Sequence, residues 1–138
     1  MRLAKLIRRD ERGAGAVEFA LSVPVLVTLI YGIFECSQLY EANSGIQHAL
    51  GEGARYATLC IPNTSSTTGC DVPSDTNIVA RENLKLFGPP DGTFNVSTPT
   101  TSSGYKTLTI SYQRTMNFLL FTGPTVTITR SKQVYTIS

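Results

Sequence analysis

The sequence predicts an α+β protein with a long N-terminal membrane helix and a small head of one short helix and a three-stranded antiparallel sheet. Two observations predict this fold class. An uncharged apolar run extends from Phe19 to Phe34, and the side-chain pattern changes from a helical period to a period of two in the last third of the chain. The 138 residues then divide into a leader (1–13), a long helix (14–58) and a head (59–138).

The basic charge of the chain is concentrated in the leader. Residues 1–12 have a net charge of +3, whereas the remaining residues have a net charge of −1. Because basic residues beside a hydrophobic span stay on the cytoplasmic side, the pattern predicts a cytoplasmic N-terminus and an extracytoplasmic head. A cleaved secretory signal fits less well, since residues 33–36 offer no small-x-small cleavage site. An uncut signal anchor remains a rival interpretation.

The apolar run reaches membrane length only if it includes one acidic residue. The 16 residues from Phe19 to Phe34 cover about 24 Å as a helix, which is short of the ~30 Å hydrocarbon core. A span over residues 14–35 is long enough but contains Glu18, and an acid at this depth is by default a functional-site hypothesis. We expect a kink or local unwinding at Pro24, and we interpret Glu35 as the outer end of the span rather than a site.

A helical pattern continues through residues 36–58, which we expect to be amphipathic and to pack on the head. The residues that recur at spacings of three or four are Ile33, Cys36, Tyr40, Asn43, Ile46, Leu50 and Ala54. Gly45, Gly51 and Gly53 oppose this prediction, because each lowers helix propensity by about 1 kcal/mol relative to Ala.

The head begins with a polar loop between Cys60 and Cys70. In an extracytoplasmic location this pair predicts a disulfide. Ser74 then provides an N-cap for a short helix that ends at Gly88.

Three segments with alternating apolar and polar residues follow, around Phe94–Val96, Leu108–Tyr112 and Val126–Ile128. They predict an antiparallel sheet with one apolar face, which the second half of the long helix would cover. The connection Met116–Phe121 is unusually apolar for a loop, and is either a plug of the core or a surface patch for a partner.

The sequence predicts no enzyme active site, metal site, cofactor site or nucleic-acid site. His48 is the only histidine in the sequence, and nothing around it specifies a catalytic triad or a set of metal ligands. The head has neither a basic stripe nor a nucleic-acid motif. An envelope enzyme with an unrecognised site is kept as a remote alternative.

Several segments of the chain resemble a known family. They are Arg12-Gly13-Ala14-Gly15-Ala16-Val17-Glu18-Phe19-Ala20-Leu21, Pro24, Tyr31-Gly32-Ile33-Phe34-Glu35 and Glu52-Gly53-Ala54-Arg55-Tyr56-Ala57. Together they resemble the TadE-like minor pseudopilins of the bacterial tight-adherence (Flp) pilus system. The likeness is close over about residues 8–58, and beyond them only the general plan of a disulfide loop and terminal strands is similar.

The resemblance implies that a membrane-embedded prepilin peptidase cuts after Gly13, so that Ala14 becomes the new N-terminus. Glu18 and Phe19 would then form the processing and assembly motif. Gly13 would let the backbone extend into the peptidase cleft, and Glu18 would pair with the freed amine of its own or a neighbouring subunit. Gly51 departs from the family, where a basic or polar helix former is usual, and this departure weakens the prediction of a continuous helix.

The resemblance implies a noncatalytic minor pseudopilin that assists the assembly or initiation of Flp-type pili. It would cross the bacterial inner membrane once, with its head in the periplasm. Its expected partners are the membrane, the peptidase and other pilins or pseudopilins. The alternative is an uncleaved single-pass structural or adaptor protein of the cell envelope.

Overall fold

The computed structural model describes residues 11–62, 69–102, 104–118 and 121–135, and the side chains from Gly13 onward. Most of the predicted leader lies outside these residues. The elements in chain order are α1 (Glu11–Ala57), β1 (Ile61–Pro62), β2 (Cys70–Asp71), α2 (Asp75–Lys85), β3 (Thr93–Ser102), β4 (Tyr105–Phe118) and β5 (Phe121–Tyr135). A long apolar helix, a short helix and a three-stranded antiparallel sheet confirm the predicted α+β class.

Helix α1 is continuous over 47 residues and passes through Pro24 without interruption, so the local unwinding expected there does not occur. The hydroxyl groups of Ser22 and Thr28 donate to the carbonyls of Glu18 and Pro24, at 2.7 and 2.8 Å. These polar side chains of the apolar half therefore satisfy their hydrogen bonds within the helix, as hydroxyl groups in a membrane segment must.

The C-terminal half of α1 packs on the head through a stripe of small and aliphatic residues. The buried members of this stripe are Ala42, Gly45, Ile46, Ala49, Leu50, Gly53, Ala54 and Ala57. The predicted stripe was therefore correct for Ile46, Leu50 and Ala54. It was wrong for Ile33, Cys36 and Tyr40, which are exposed because the sheet and α2 approach α1 from another side.

Two of the three glycines that argued against a helix are positions of close approach. A Cβ atom at Gly45 would overlap the carbonyl oxygen of Phe87, and one at Gly53 would overlap the side chain of Glu82. The cost in helix propensity thus allows α2 and the segment after it to lie directly against α1. Gly51 faces open space, and the helix is continuous there as well.

Helix α2 begins as predicted, with the Ser74 hydroxyl accepting a hydrogen bond from the backbone N–H of Asn77 at 3.4 Å. Its fully buried Ile78 joins the core. An ion pair between Asp75 Oδ1 and Lys106 Nζ, at 2.5 Å, ties its first turn to β4.

The three long strands pair antiparallel in the order β3–β4–β5. The apolar face of β4, with Leu108, Ile110 and Tyr112 fully buried, packs with the stripe of α1 and with Ile78 to form the core. Before the sheet, Cys60 and Cys70 form a disulfide with a Cα–Cα distance of 5.2 Å. Cys60 immediately precedes β1 and Cys70 is the first residue of β2, so this bond links the two strands of the small β1–β2 ribbon.

Of the segment Met116–Phe121, the described residues belong to two paired strands, so the interpretation of these residues as a loop was wrong. Met116 to Phe118 belong to β4, and Phe118 pairs with Phe121 at the start of β5. The register shifts between Thr115 and Asn117, where Met116 of β4 faces two residues of β5, Gly123 and Pro124, so the extra residue of this bulge lies in β5. We call the described residues Met116–Phe118 and Phe121 the hairpin tip. The hairpin tip lies outside the buried core of the head.

Candidate functional site

A buried ion pair joins α1 to β4 at the C-terminal end of the apolar run. The Nη2 atom of Arg114 lies 3.2 Å from Oε2 and 3.4 Å from Oε1 of Glu35. Both side chains are only 4% exposed. Glu35 and Arg114 are 79 positions apart in the sequence, so the pair fixes the position of the hairpin on the helix.

Neighbouring groups add further contacts to this pair, although Glu35 Oε2 and Arg114 Nε have no hydrogen-bond partner among the described residues. Arg114 Nη1 donates to Oε1 of Gln38, one turn along α1 from Glu35, and the backbone N–H of Asn117 donates to Glu35 Oε1 at 3.4 Å. The carboxylate of Asp91 lies 3.6 Å from Arg114 Nη2 and is 69% exposed. The side of the cluster that faces α1 is therefore excluded from solvent, whereas the side at Asp91 is open to solvent.

Arg114 is buried because successive side chains of β4 alternate between the core face and the opposite face of the sheet. Leu108, Ile110 and Tyr112 are fully buried, and Arg114 is the next residue on the same face. A buried cation requires a partner of opposite charge. Glu35 does follow the apolar run directly, as interpreted, but the sequence analysis missed its role in a buried ion pair. The period of two in β4, extended to Arg114, was the signal that indicated a buried partner.

Burial also affects Tyr112, which precedes Arg114 on this face. Burial raises the pKa of the Tyr112 phenol, and the adjacent Arg114 guanidinium opposes that rise. The aromatic ring of Phe94 packs on the Tyr112 ring with centroids 4.5 Å apart. The guanidinium thus lies between an aromatic core and a carboxylate, in an environment that restricts its movement.

An apolar groove lies beside this cluster, between the first half of α1 and the hairpin tip. It has a volume of about 790 Å³ and is lined by Pro24, Val25, Leu29, Gly32, Met116 and Phe118, among others. The Phe118 ring lies over Gly32, with its Cε1 atom 3.8 Å from the position of a Cβ there. Phe118 also stacks on Phe121, with ring centroids 4.9 Å apart. The groove is open to the outside along the apolar half of the helix.

Within the described chain, one helix is long and apolar enough to cross a membrane, and the rest of the protein buries none of its apolar window. Residues 13–55 match the family model described as TadE-like protein. This segment of the chain is TadE-like. The resemblance inferred from the sequence is confirmed over these residues, and the match is consistent with a protein of the tight-adherence pilus system. No curated protein and no solved structure matches the chain.

The TadE-like segment contains one partner of the buried ion pair but not the other. Glu35 and Gln38 lie within the matched residues, whereas Arg114 lies in the head, outside the match. The Glu35–Arg114 ion pair therefore connects the segment that matches the family model to a head that lies outside the match.

The predicted processing residues lie at the start of the TadE-like segment, remote from the head. Gly13, Ala14, Glu18 and Phe19 are all exposed on α1. Ala14 and Glu18 are one helical turn apart and thus share a face. The structure brings together Cys60 and Cys70, but it does not bring the processing residues into contact with the Glu35 cluster. Cleavage and the pairing of Glu18 with a new amine remain predictions.

His48 lies on the head half of α1, exposed to solvent. Its Nδ1 atom is 3.3 Å from the carbonyl oxygen of Lys85, and its ring packs against Phe87. Among the residues that the structure describes, no group of three or more His, Cys, Asp or Glu is placed to hold a metal ion.

Proposed function

We propose that this chain is a noncatalytic minor pseudopilin, anchored by α1 in the bacterial inner membrane with its head in the periplasm. In this role it assists the assembly or initiation of Flp-type pili. The observation that carries the proposal is the TadE-like match over residues 13–55. The match coincides with a single helix that is apolar in one half and packed on a head in the other.

The geometry is suited to holding the head at a fixed position relative to the membrane. A helix from Ala14 to Phe34 covers about 31 Å, which matches the ~30 Å hydrocarbon core. Glu35 follows directly and is neutralised by Arg114 of the head instead of facing lipid. The head is thus attached to the anchor at the edge of the membrane by a helix, a core and a buried ion pair, without a flexible linker.

Processing would begin at Gly13. The peptidase would cut after this residue, and the freed amine of Ala14 would lie on the same helical face as the Glu18 carboxylate. In the low dielectric of the membrane their attraction would offset the cost of burying Glu18. The same amine could instead pair with Glu18 of a neighbouring subunit and set the register between helices.

One observation favours the alternative of an uncleaved anchor protein. Gly13 and Ala14 lie inside α1, which begins at Glu11, whereas a peptidase cleft takes up extended backbone. Cleavage therefore requires the first turn of the helix to unwind. Gly13 and Gly15 lower the cost of unwinding, because glycine destabilises a helix by about 1 kcal/mol relative to Ala.

Mass spectrometry of the protein from cells with and without the prepilin peptidase separates the two proposals. We expect a chain beginning at Ala14 when the peptidase is present, and a chain beginning at Met1 when it is absent. An intact Met1 in both strains would contradict processing and leave the uncleaved anchor.

The role of Glu18 in assembly has its own test. Glu18→Ala should leave cleavage after Gly13 largely intact but reduce the number of pili on cells, because the amine loses its partner. Glu41→Ala is the matched control, since Glu41 is an exposed acid of the same helix outside the span. Normal piliation with Glu18→Ala, or an equal loss with Glu41→Ala, would contradict the pairing.

A further inference from the structure

The hairpin tip reaches the level of the membrane beside α1. The Phe118 ring covers Gly32, which lies inside the apolar run. Gly32 is about 27 Å from Ala14 along the helix, just within the ~30 Å hydrocarbon core. If α1 spans the membrane as proposed above, the end of β4 and the start of β5 therefore lie at the depth of the outer leaflet.

The hairpin has the charge pattern that this depth requires. No charged residue occurs in the sequence between Arg114 and Arg130, a stretch that includes the whole tip. Arg114 is held by Glu35, and Arg130 Nε donates to Asn43 Oδ1 at 2.9 Å. Both arginines thus contact α1 beyond the apolar run. An uncharged end bounded by basic residues is the pattern found at the border of hydrocarbon and headgroups.

Three of the four tip residues, Met116, Phe118 and Phe121, are apolar and of the kind that a lipid surface favours, whereas Asn117 between them is polar and exposed. Phe121 is 55% exposed and stacks on Phe118. The groove behind them is lined by span residues such as Val25 and Leu29, which a bilayer would surround with acyl chains. In water this exposed apolar surface would be costly, whereas in hydrocarbon it needs no protein cover.

We propose that the hairpin tip is a second membrane contact of the protein. Phe121 and Phe118 insert among the acyl chains of the outer leaflet beside α1, and lipid fills the groove along Pro24 to Gly32. The head then has two points of attachment, the helix and the hairpin. Their separation restricts rotation and tilt of the head relative to the membrane surface. This inference depends on the proposed span and would fail with it.

Tryptophan fluorescence tests the insertion, because the sequence contains no tryptophan. Three variants of the full chain, each with one tryptophan, are reconstituted at high dilution in phosphatidylcholine vesicles. Phe121→Trp probes the tip at an exposed position that accepts the larger ring. Phe34→Trp reports on the anchor, where Phe34 is 56% exposed. Tyr135→Trp probes the far end of β5, where Tyr135 is 82% exposed.

We expect blue-shifted emission from Phe121→Trp and Phe34→Trp, with a similar loss of intensity when the lipids are brominated near the headgroup. Tyr135→Trp should be insensitive to brominated lipid and quenched by iodide in the buffer. Quenching of Phe34→Trp but not Phe121→Trp by brominated lipid would overturn the insertion and leave the anchor intact. Shielding of Phe121→Trp from both quenchers would also overturn it, in favour of a second copy of the chain. Loss of lipid quenching in Phe34→Trp would overturn the anchor and the insertion together.

Discussion

At the scale of single residues, the interaction between Glu35 and Arg114 is the principal link between helix and head. Two charges that are almost fully removed from water are expensive, and their attraction compensates only if both are present. Asn117 and Gln38 add hydrogen bonds to the pair. The pair therefore specifies where the hairpin docks on α1, and removing one partner leaves an uncompensated buried charge.

Arg114→Met should lower the free energy of unfolding of the head by about 3–5 kcal/mol, because Glu35 would remain buried without a counter-ion. Urea denaturation in detergent micelles measures the change. The double variant Glu35→Met with Arg114→Met should recover most of the loss. Asp91→Asn is the control, since this exposed partner contributes about 1 kcal/mol or less. An Arg114→Met variant as stable as the parent would contradict the role of the pair.

Glu82 gives the head a dependence on pH. Its side chain is fully buried against Gly53, and neither carboxylate oxygen has a hydrogen-bond partner. Burial raises the pKa of Glu82 from 4.5 to about 7. Between these values the folded protein binds more protons than the unfolded chain, so stability falls as the pH rises through this window.

The contribution of Glu82 corresponds to a loss on the order of 3 kcal/mol between pH 4.5 and pH 7. Glu82→Gln should abolish this part of the pH dependence and make the head more stable than the parent at pH 8. Denaturation midpoints of both proteins at a series of pH values give the comparison. Parallel pH profiles for the two proteins would show that Glu82 does not titrate in this range.

At the scale of elements, α1 combines an apolar, membrane-length surface in its N-terminal half with a surface that packs on the head in its C-terminal half. The sequence predicted its length well, because apolar content and a helical period are local properties. The sequence predicted its buried side less well, because Ala42, Ala49 and Ala57 are buried by the approach of α2 and β4. Which small residues face a partner is decided by tertiary contacts that a helical period alone does not contain.

The glycines of α1 supply a test of this explanation. Gly51→Ala should stabilise the protein by about 1 kcal/mol, since a Cβ there meets open space and alanine favours helix. Gly45→Ala should destabilise it strongly, because the new methyl group would overlap the backbone of Phe87. Thermal unfolding of the two variants measures both effects. An equal change in the unfolding temperature of both variants would mean that the close approach of Phe87 to Gly45 is unimportant.

The strands show the same division between local and tertiary information. Alternation located all three strands, and the N-cap at Ser74 located α2. The extension of β4 through Met116 to Phe118 was missed although its burial continues to alternate there, because the unbroken apolar run from Phe118 to Phe121 in the sequence obscured the strand. Pairing with β5 continues beyond the bulge, and the apolar tip residues are exposed or half-buried at the side of α1 instead of plugging the core.

At the scale of the whole molecule, the anchor and the head form one continuous unit. A helix that is apolar from Phe19 to Phe34 continues without a break into the core of the head. The Glu35–Arg114 pair lies where the two halves meet. Any force applied along the anchor is therefore transmitted to the sheet directly. This coupling was only partly predictable, because it depends on the contact between Glu35 and a residue 79 positions later.

Hydrogen–deuterium exchange of the full chain in lipid nanodiscs tests this continuity most directly. The account predicts slow exchange of the α1 amides from Phe19 to Ala57 without a gap, including the turns around Glu35 and Gln38. Fast exchange confined to residues 35–43 would reveal a hinge between anchor and head, and would contradict the rigid junction.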